Sequence, residues 1–387
     1  MDAAISHIEE LASTANEETR RELRLKLLNI AYSLEDVNDT FHRFAHCHLS
    51  SAVVKIGLDL GLFKSLVESK DGVTLESIAT RTGADISLLG RLMRYLARVG
   101  AVDQVSQNQF AANHTTRNLS HKSSESGLAH CFEVVAPIYQ AMPAFLQKMN
   151  YATPLDPVDT AWQRAFNTPM HAMEWLGQHP DKMARFGEYM ASRDGPSRGW
   201  LDVYPVQEEL AITHLKEDTD RAVFVNVGVG FGHPCAEFKS RFPGVHGRVV
   251  LQDQPSIIGQ MPQIPGVENM VHNLFDEQPI EGAKFYFMRG ILHNHPDHLA
   301  KIILERVKDA MAPDSILLLD DYVVSEKLPD FFSRSISDLT MLGTFSSQER
   351  FEEQWRSLFD SVGLRLAKTY PLNDPPTSET VMEVRLE

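Results

Sequence analysis

The stretch Arg221–Gly232 (RAVFVNVGVGFG) limits the possible folds of this chain more than any other. It joins an apolar run over 222–227 to glycines at Gly228 and Gly230, and a helical pattern begins at His233. This order predicts the first βα unit of a doubly wound, Rossmann-like sheet. Glycines let the backbone approach a ligand closely, and the following helix offers unpaired N–H groups. Such turns also occur where no ligand binds, so a second signal is needed.

That signal comes about twenty residues later, in Gly247–Asp253 (GRVVLQD), another apolar run that ends in an acid. In dinucleotide-type folds an acid at the tip of the second strand accepts hydrogen bonds from both ribose hydroxyls. The alternative for Asp253 is an ordinary turn acid before Pro255. With the glycine turn in register, the pair predicts a cofactor that contains ribose. The spacing does not distinguish a nicotinamide from S-adenosylmethionine (SAM).

Composition narrows the class of protein. The chain has 387 residues and a formal charge of −15, without a basic cluster, which argues against nucleic acid as a partner. No apolar run approaches the ~20 residues needed to cross a bilayer, and the charged N-terminus has no signal-peptide core. Three scattered cysteines form neither a disulfide framework nor a metal motif. We therefore expect a reduced, cytoplasmic protein with no membrane partner.

Residues 1–125 are predicted to form a helical, winged-helix domain. A long polar helix is expected over 1–30, further helices over 74–80 and 85–99, and a hairpin over 101–111. DNA binding would require basic side chains on the second of the paired helices, where Arg91, Arg94 and Arg98 stand. The overall acidity favours a dimerisation role over DNA binding.

Residues 126–205 are predicted to be a mostly helical connector, rich in methionine, histidine and aromatic side chains. Such a composition belongs either to a core or to a pocket for a bulky apolar ligand. His130, on an otherwise apolar face, is either a core histidine or a hydrogen-bond donor to substrate. Met190 is expected in the same pocket.

Residues 206–387 continue the α/β pattern. Strands are expected over 222–227, 247–253, 283–288 and 315–319, and a helix is expected over 297–312. Ligands in such sheets bind beyond the carboxyl ends of the strands. There the order of the chain brings together His293, Asp321 and Glu349. An imidazole flanked by carboxylates is oriented and basic enough to take a proton near neutral pH. The alternative for His293 is a surface helix cap.

Taken together, a series of motifs gives the chain a resemblance to a known family. In order, they are VNVGVGFGH, LQDQP, HNLF, FYFMRGILHNHPDH, MAPDSILLLDDYV and DLTMLGTFSSQERFEEQW. The series resembles the cation-independent O-methyltransferases, in particular the fungal branch that modifies secondary metabolites, over roughly residues 40–385. The resemblance implies SAM as cofactor and a homodimer formed through the N-terminal domain.

The resemblance also implies roles for particular residues. His293 would deprotonate a phenol or enol hydroxyl of a bulky, apolar natural product, flanked by Asp321 and Glu349, and no metal would be needed. Asn294 and Met341 would contact the substrate beside His130 and Met190. The residues implied to hold SAM are Gly228, Gly230, Asp253, Asn273, Leu274 and Arg289.

Three asparagines depart from the family pattern and motivate a second hypothesis. Asn226, Asn273 and Asn294 each stand where the family usually has aspartate. Each change keeps the shape and removes a negative charge that would attract a sulfonium. Some fungal members resemble methyltransferases but act as SAM-dependent pericyclases, in which SAM stays bound and polarises the substrate. Dehydration followed by cyclisation is therefore the alternative function, and a non-catalytic regulatory dimer is a third.

Overall fold

The computed structural model describes residues 1–69, 72–192, 197–211, 220–228, 233–374 and 376–387. The chain divides into two compact units. Unit 1 is Met1–Val135 with Pro180–Arg193, and unit 2 is Ala136–His179 with Asp194–Glu387. The predicted connector over 126–205 contributes residues to both units, and its boundaries at 125 and 205 stay predictions.

The helices, in chain order, are α1 (Asp2–Thr14), α2 (Glu17–Ser33), α3 (Val37–Ala45), α4 (Cys47–Asp59), α5 (Leu62–Val67), α6 (Leu75–Thr82), α7 (Ile86–Arg98), α8 (His114–Leu119), α9 (Lys122–His130), a π-helix (Cys131–Val135), α10 (Ala136–Lys148), α11 (Ala161–Phe166), α12 (Ala172–Gly177), α13 (Pro180–Ser192), α14 (Trp200–Val203), α15 (Val206–Ala211), α16 (His233–Arg241), α17 (Pro255–Ile258), a 3₁₀ turn (Leu292–Asn294), α18 (Asp297–Ala310), α19 (Phe331–Phe345) and α20 (Glu352–Asp360). The strands are β1 (Val73–Thr74), β2 (Asp103–Ser106), β3 (Gln109–Ala111), β4 (Ala222–Val227), β5 (Arg248–Asp253), β6 (Glu268–Val271), β7 (Phe285–Arg289), β8 (Ile316–Val324), β9 (Arg350–Phe351), β10 (Leu364–Pro371) and β11 (Glu379–Leu386).

Unit 1 contains the predicted winged helix. Helices α6 and α7 begin at Thr74 and Asp85, whose side chains accept hydrogen bonds from backbone N–H groups of the first turn. The hairpin β2–β3 is joined by β1 in a three-stranded sheet of order β1-β3-β2. The apolar stripe of α7 packs inward, with Leu89, Met93 and Leu96 fully buried. The helix–helix–hairpin prediction is confirmed.

One prediction in unit 1 is wrong: the single helix expected over 1–30 is two helices, α1 and α2. The chain breaks at Ala15, which has extended backbone, and the Asn16 side chain caps α2 by accepting from Thr19 N. Cap residues compete with helix continuation because their side chains satisfy the N–H groups of a new first turn. The amphipathic spacing alone gave no sign of this break.

Unit 2 is built on a mixed eight-stranded sheet with the order β10-β11-β8-β7-β4-β5-β6, and β9 pairs with β8. Strands β4 to β8 are parallel to one another, whereas β11 pairs antiparallel with β8 and with β10 at one edge. The chain moves outward from β4 in both directions, so β4 lies at the point where the strand order reverses. This is the place where doubly wound sheets bind ligands, and the predicted fold class is confirmed.

Both faces of this sheet are buried, because successive residues of its strands pack into opposite cores. Tyr286 and Met288 belong to the core that also contains Trp355. Phe285 and Phe287 belong to the opposite core, against Trp200. Burial on both faces is why these strands read as continuous apolar runs. Strands β6, β10 and β11 were not predicted. Exposed positions interrupt the apolar runs of β6 and β10, and charged residues interrupt that of the buried β11.

Among the described residues, no helix has the length and apolar content required to cross a membrane.

Candidate active site

The carboxyl ends of the central strands meet at one edge of the sheet in unit 2. Register pairs Val227 with Gln252 on neighbouring strands, and Arg289 with Asp320 on the next pair. The residues that follow these positions therefore converge at this edge. Most of the side chains implied by the resemblance lie here.

Gly228 forms the turn after β4 and has a φ of 79°. Its N–H donates to the Gln252 carbonyl at 2.9 Å, which fixes the turn against β5. A Cβ at this position would lie 2.6 Å from Ile291 Cδ1 and 3.7 Å from Leu274 Cδ2. Only glycine fits both the left-handed backbone and this space. The other glycine of the expected cofactor turn, Gly230, lies outside the described residues.

Asp253 and the turn after β6 are joined through the backbone. The Asp253 carbonyl accepts from His272 N at 2.9 Å, immediately before Asn273 and Leu274. Asn273 shapes its own turn, because its Oδ1 accepts from Phe275 N at 3.3 Å. The acid expected at the ribose and the turn expected at the adenine are thus held at adjoining strand ends.

Asn226 is the residue at this edge whose polar atoms are least satisfied. It is 1% exposed, and neither Oδ1 nor Nδ2 has a hydrogen-bond partner of good geometry. The Cys235 thiol lies close enough to interact with the amide, but a thiol is a weak partner, and burial raises the Cys235 pKa to about 12. A buried amide without strong partners is costly. This residue and the Gly228 cradle fit a polar ligand at the end of β4.

Arg289 is paired within the chain. Its Nε lies 3.0 Å from Asp320 Oδ2. Burial raises the pKa of Asp320 to about 7, although the Arg289 charge opposes that shift. The Arg289 side chain is 48% exposed, so the guanidinium is anchored at one end and open to solvent elsewhere.

The three expected catalytic side chains lie together in unit 2. His293 stands in the 3₁₀ turn, and its Nδ1 is 3.3 Å from Glu349 Oε1. Ser337 Oγ donates to the same Oε1 at 2.5 Å, and the buried Oε2 has no partner. Donor atoms of His293, Asp321 and Glu349 lie within 4.8 Å of one another. The predicted juxtaposition is therefore present.

The side chains of His293, Asp321 and Glu349 shift one another's pKa values. Burial lowers the pKa of His293, but the carboxylates of Asp321 and Glu349 more than offset burial, and the net pKa is raised above 6.5. Burial raises the pKa of Asp321 against the pull of His293. Glu349 is also buried, but the hydrogen bond and charge of His293 bring its pKa below the ordinary value. The imidazole is more basic than a free histidine.

The neighbouring histidines behave in the opposite way. Burial lowers the pKa of His295 to about 4, helped by the charges of His171, His293 and Arg350. Burial also lowers the pKa of His171. Both rings are therefore neutral at physiological pH, and only His293 is tuned as a proton acceptor.

The same three groups have donor atoms close enough together to hold a metal ion. One imidazole and two carboxylates suit a divalent cation chemically. That no metal is needed stays a prediction.

The expected substrate residues lie in different units. In unit 2, Asn294 Nδ2 donates to the Gly290 carbonyl at 2.9 Å, so one amide hydrogen serves its own turn. Met341 lies on α19 and is half-buried. In unit 1, Met190 lies on α13 and is 42% exposed. All three roles stay predictions.

His130 is buried in unit 1 at the start of the π-helix. Its ring centroid lies 5.1 Å from that of Phe186 and 6.0 Å from that of Tyr189. Nδ1 is buried without a partner, and burial lowers the pKa of the ring. A neutral, partnerless imidazole at a π-bulge suits a ligand-contacting role, since π-bulges often occur at functional sites. That role stays a prediction.

Three residues that support the site were not identified from the sequence: Ser337, Ser347 and Arg350. Ser337 touches the Glu349 carboxylate, and the other two bind backbone carbonyls around His293. Ser347 and Arg350 stand within the motif DLTMLGTFSSQERFEEQW, but the motif does not indicate that their side chains bind backbone carbonyls.

Family models match both parts of the chain. Residues 159–365 match the O-methyltransferase domain, and residues 42–121 match the O-methyltransferase dimerisation domain. The chain belongs to the O-methyltransferase family. This family uses SAM as its cofactor, as the resemblance implied.

Members of the O-methyltransferase family match the chain over nearly its whole length. O-methyltransferase ucdC of Aspergillus ustus is 34% identical over 366 residues, covering 95% of this chain and 94% of the relative. A solved LepI complex with SAM is 33% identical, with a TM-score of 0.83, and covers 100% of this chain and 98% of its own. A solved structure described as a pericyclic reaction enzyme has 33% identity, a TM-score of 0.82 and coverages of 100% and 99%.

Proposed function

We propose that this protein is a SAM-dependent O-methyltransferase of secondary-metabolite biosynthesis that acts on a phenol or enol hydroxyl. The acceptor is a bulky, apolar small molecule. The observation that carries the proposal is the His293 imidazole, held by Glu349 at 3.3 Å and raised in pKa at the carboxyl edge of the sheet. Family membership supports the reaction class.

The chain's own residues fit SAM at this edge. The left-handed backbone of Gly228 packs closely against Ile291 and fixes the turn at the end of β4, and the Asn226 amide, which has no strong partner, lies two residues before it. Asp253 and the Asn273–Leu274 turn would hold the ribose and adenine, and Arg289, Gly228 and Gly230 complete the proposed set. Bound SAM supplies an electrophilic methyl group.

His293 is the proton acceptor in this proposal. With Nδ1–H donated to Glu349, the lone pair of Nε2 is available for the acceptor hydroxyl. A phenol with a pKa near 10 is mostly protonated at neutral pH, so a poised base contributes ~10²–10⁴-fold to the rate. Asp321 and Glu349 stabilise the imidazolium that forms. His130, Met190, Asn294 and Met341 are proposed to contact the acceptor.

A second candidate function is a SAM-dependent pericyclase that dehydrates and cyclises its substrate without transferring a methyl group. It is favoured by the asparagines at 226, 273 and 294, which remove negative charge where a sulfonium would be drawn in. The similarity to a solved pericyclic reaction enzyme supports it as well.

We further propose that the protein is a homodimer formed through unit 1. Helices α1 and α3 contain no buried residue, and an exposed apolar stripe on α3 consists of Val37 (90% exposed), Phe41 (58%) and Phe44 (66%). We propose that a second copy covers this face. The dimerisation-domain match at 42–121, which begins within α3, supports a dimer formed through unit 1. Phe41→Glu/Phe44→Glu should shift the mass measured by light scattering from dimer to monomer. An unchanged dimer would place the interface elsewhere.

One incubation separates the two candidate functions. The protein is mixed with SAM and a panel of phenols and 2-pyridone alcohols, and S-adenosylhomocysteine and product mass are followed. A product heavier by one methyl group, with stoichiometric S-adenosylhomocysteine, supports the methyltransferase. Substrate turnover without S-adenosylhomocysteine supports the pericyclase instead.

His293→Ala tests the base, with His298→Ala as the matched control. His298 is exposed on the first turn of α18. We expect His293→Ala to lose ~10²–10⁴-fold in kcat and His298→Ala to lose nothing. Full activity of His293→Ala would overturn the base assignment.

A further inference from the structure

Arg350 is an arginine whose side chain is 0% exposed. Its Nη1 donates to the Leu292 carbonyl at 2.9 Å, and its Nη2 donates to the His295 carbonyl at 2.8 Å. Nε and Nη2 also donate to Asp297 Oδ1 at 3.0 and 2.8 Å. The guanidinium lies over the Trp355 ring, 5.0 Å from its centroid. These contacts are made by all three guanidinium nitrogens.

The two carbonyls that Arg350 binds flank His293 in the chain. The carbonyl of His293 itself accepts from Ser347 Oγ at 2.7 Å. The turn that carries the imidazole is therefore held by its backbone from one neighbouring segment, 347–350. The same segment supplies Glu349, which holds the ring.

We propose that Arg350 is a positioning residue for His293, which fixes the turn so that the imidazole faces the acceptor hydroxyl. This inference rests on the proposed function, because it assumes that His293 takes a proton. Arg350 acts through backbone carbonyls and is not itself a catalytic residue.

A planar fork is required for this task. Arginine presents several N–H groups in fixed directions, whereas lysine presents one point charge on a flexible stem. Lysine can keep the positive charge near His293 but cannot reach two carbonyls and a carboxylate at once. A misplacement of ~1 Å at a reacting group can cost ~10²-fold in rate.

The charge and the geometry of Arg350 have separable effects. The groups that face His293 are the carboxylates of Asp321 and Glu349, the cationic Arg350, the His295 ring, and the Tyr322 ring at 5.7 Å. The Arg350 charge opposes protonation of His293. Removing the charge should raise the pKa of the imidazole, and removing only the fork should leave it nearly unchanged.

The experiment compares Arg350→Lys and Arg350→Met with the surface control Arg356→Met. Arg356 is 48% exposed and pairs with Glu352 on α20. We expect Arg350→Lys to lower kcat ~10²-fold, with calorimetric SAM affinity within about threefold of wild type and an unshifted pH profile. Arg350→Met should lower kcat and also move the rising limb to higher pH. Arg356→Met should change none of these.

A variant of Asp297 and an NMR titration of His293 test the role of Arg350 independently. Asp297 is 53% exposed, so Asp297→Asn should disturb the fold less than the Arg350 variants do. It should lower kcat severalfold with unchanged SAM affinity. Nitrogen-resolved NMR titration of the His293 ring reports its pKa and tautomer without turnover, so it tests positioning even where no methyl transfer is found. Wild-type kcat in Arg350→Lys, or an unaltered His293 titration in Arg350→Met, would overturn the proposal.

Discussion

The protonation state of the His293 side chain decides whether it can act as a base. Only the neutral ring accepts a proton, and its pKa is raised above 6.5 by the carboxylates of Asp321 and Glu349, which more than offset burial. The rising limb of kcat/KM against pH should therefore have its midpoint above 6.5. Asp321→Asn removes the larger of the two favourable charges and should move the limb to lower pH. A limb that stays in place would assign the titration to another group.

The same pKa shift links His293 to stability. A group whose pKa is raised in the folded state contributes its full stability below the unfolded value, here 6.5. That contribution is lost as the pH rises through the folded pKa.

A Cβ atom added at Gly228 should affect both stability and cofactor binding. In Gly228→Ala the new Cβ meets Ile291 Cδ1 at 2.6 Å in a backbone conformation with φ of 79°. We expect a stability loss of about 1–3 kcal/mol from the strained backbone and weaker SAM binding by calorimetry. Gly244→Ala is the control, since nothing lies within 4 Å of its Cβ. Equal SAM affinities for the two variants would remove Gly228 from the cofactor site.

At the scale of elements, a buried pair of amides ties the turn after β6 to strand β5. Gln252 Nε2 donates to Gln278 Oε1 at 2.8 Å, and Gln278 Nε2 donates to Gln252 Oε1 at 2.9 Å. Gln252 directly precedes Asp253, and Gln278 follows the Asn273–Leu274 turn by four residues, so the pair links the two parts of the proposed cofactor site.

Breaking one half of that pair should cost more than replacing both halves. Gln278→Ala leaves the Gln252 amide buried and unsatisfied, a loss of about 1–3 kcal/mol. Both variants remove the Gln278 acceptor of Ile280 N, but Gln252→Leu/Gln278→Leu leaves no side-chain amide unpaired. Its free energy of unfolding in urea should therefore fall by less. Gln260→Ala, at an exposed helix end, should stay within about 0.5 kcal/mol of wild type. Additive losses in the double variant would contradict the pairing.

In unit 2, strands that form a continuous apolar run were predictable, whereas strands interrupted by polar residues were not. The runs ending at Val227, Asp253, Met288 and Leu319 were recognised because both faces of these strands pack against apolar neighbours. Strand β11 is also buried, but charged residues interrupt its run. In β10 the alternation of apolar and polar residues that marks a half-buried strand stops at Ala367. The break at Asn16 depends on one side-chain hydrogen bond, which spacing does not encode.

The acids around His293 were predictable from topology, because parallel strands place their carboxyl ends together. The residues that hold these groups in place were not predictable. Arg350 and Ser347 bind carbonyls, and the Arg289 pairing with Asp320 depends on the register between β7 and β8. A hydrogen bond to a backbone carbonyl depends on the path of the chain in the folded protein, so it does not require a particular residue type at the position of the carbonyl.

For the whole molecule, removal of metal tests whether the reaction depends on a cation. The donor atoms of His293, Asp321 and Glu349 are close enough for a cation, but an imidazole base and a reactive sulfonium need none. We expect full activity after dialysis against EDTA, followed by assay in metal-free buffer. A loss that Mg²⁺ or Zn²⁺ restores would make the triad a metal centre.

The short strand β9 has a consequence for how this enzyme could be altered. It pairs with β8 through Val323–Arg350 and Val324–Phe351. The two ends of the segment 325–349, which contains α19 and Met341, are therefore joined by this strand pairing. If Met341 contacts the acceptor as proposed, grafting this segment from a relative should change the choice of acceptor, provided that Ser337, Ser347 and Glu349 are retained. His293 and Asp321 lie outside the segment and would be unchanged.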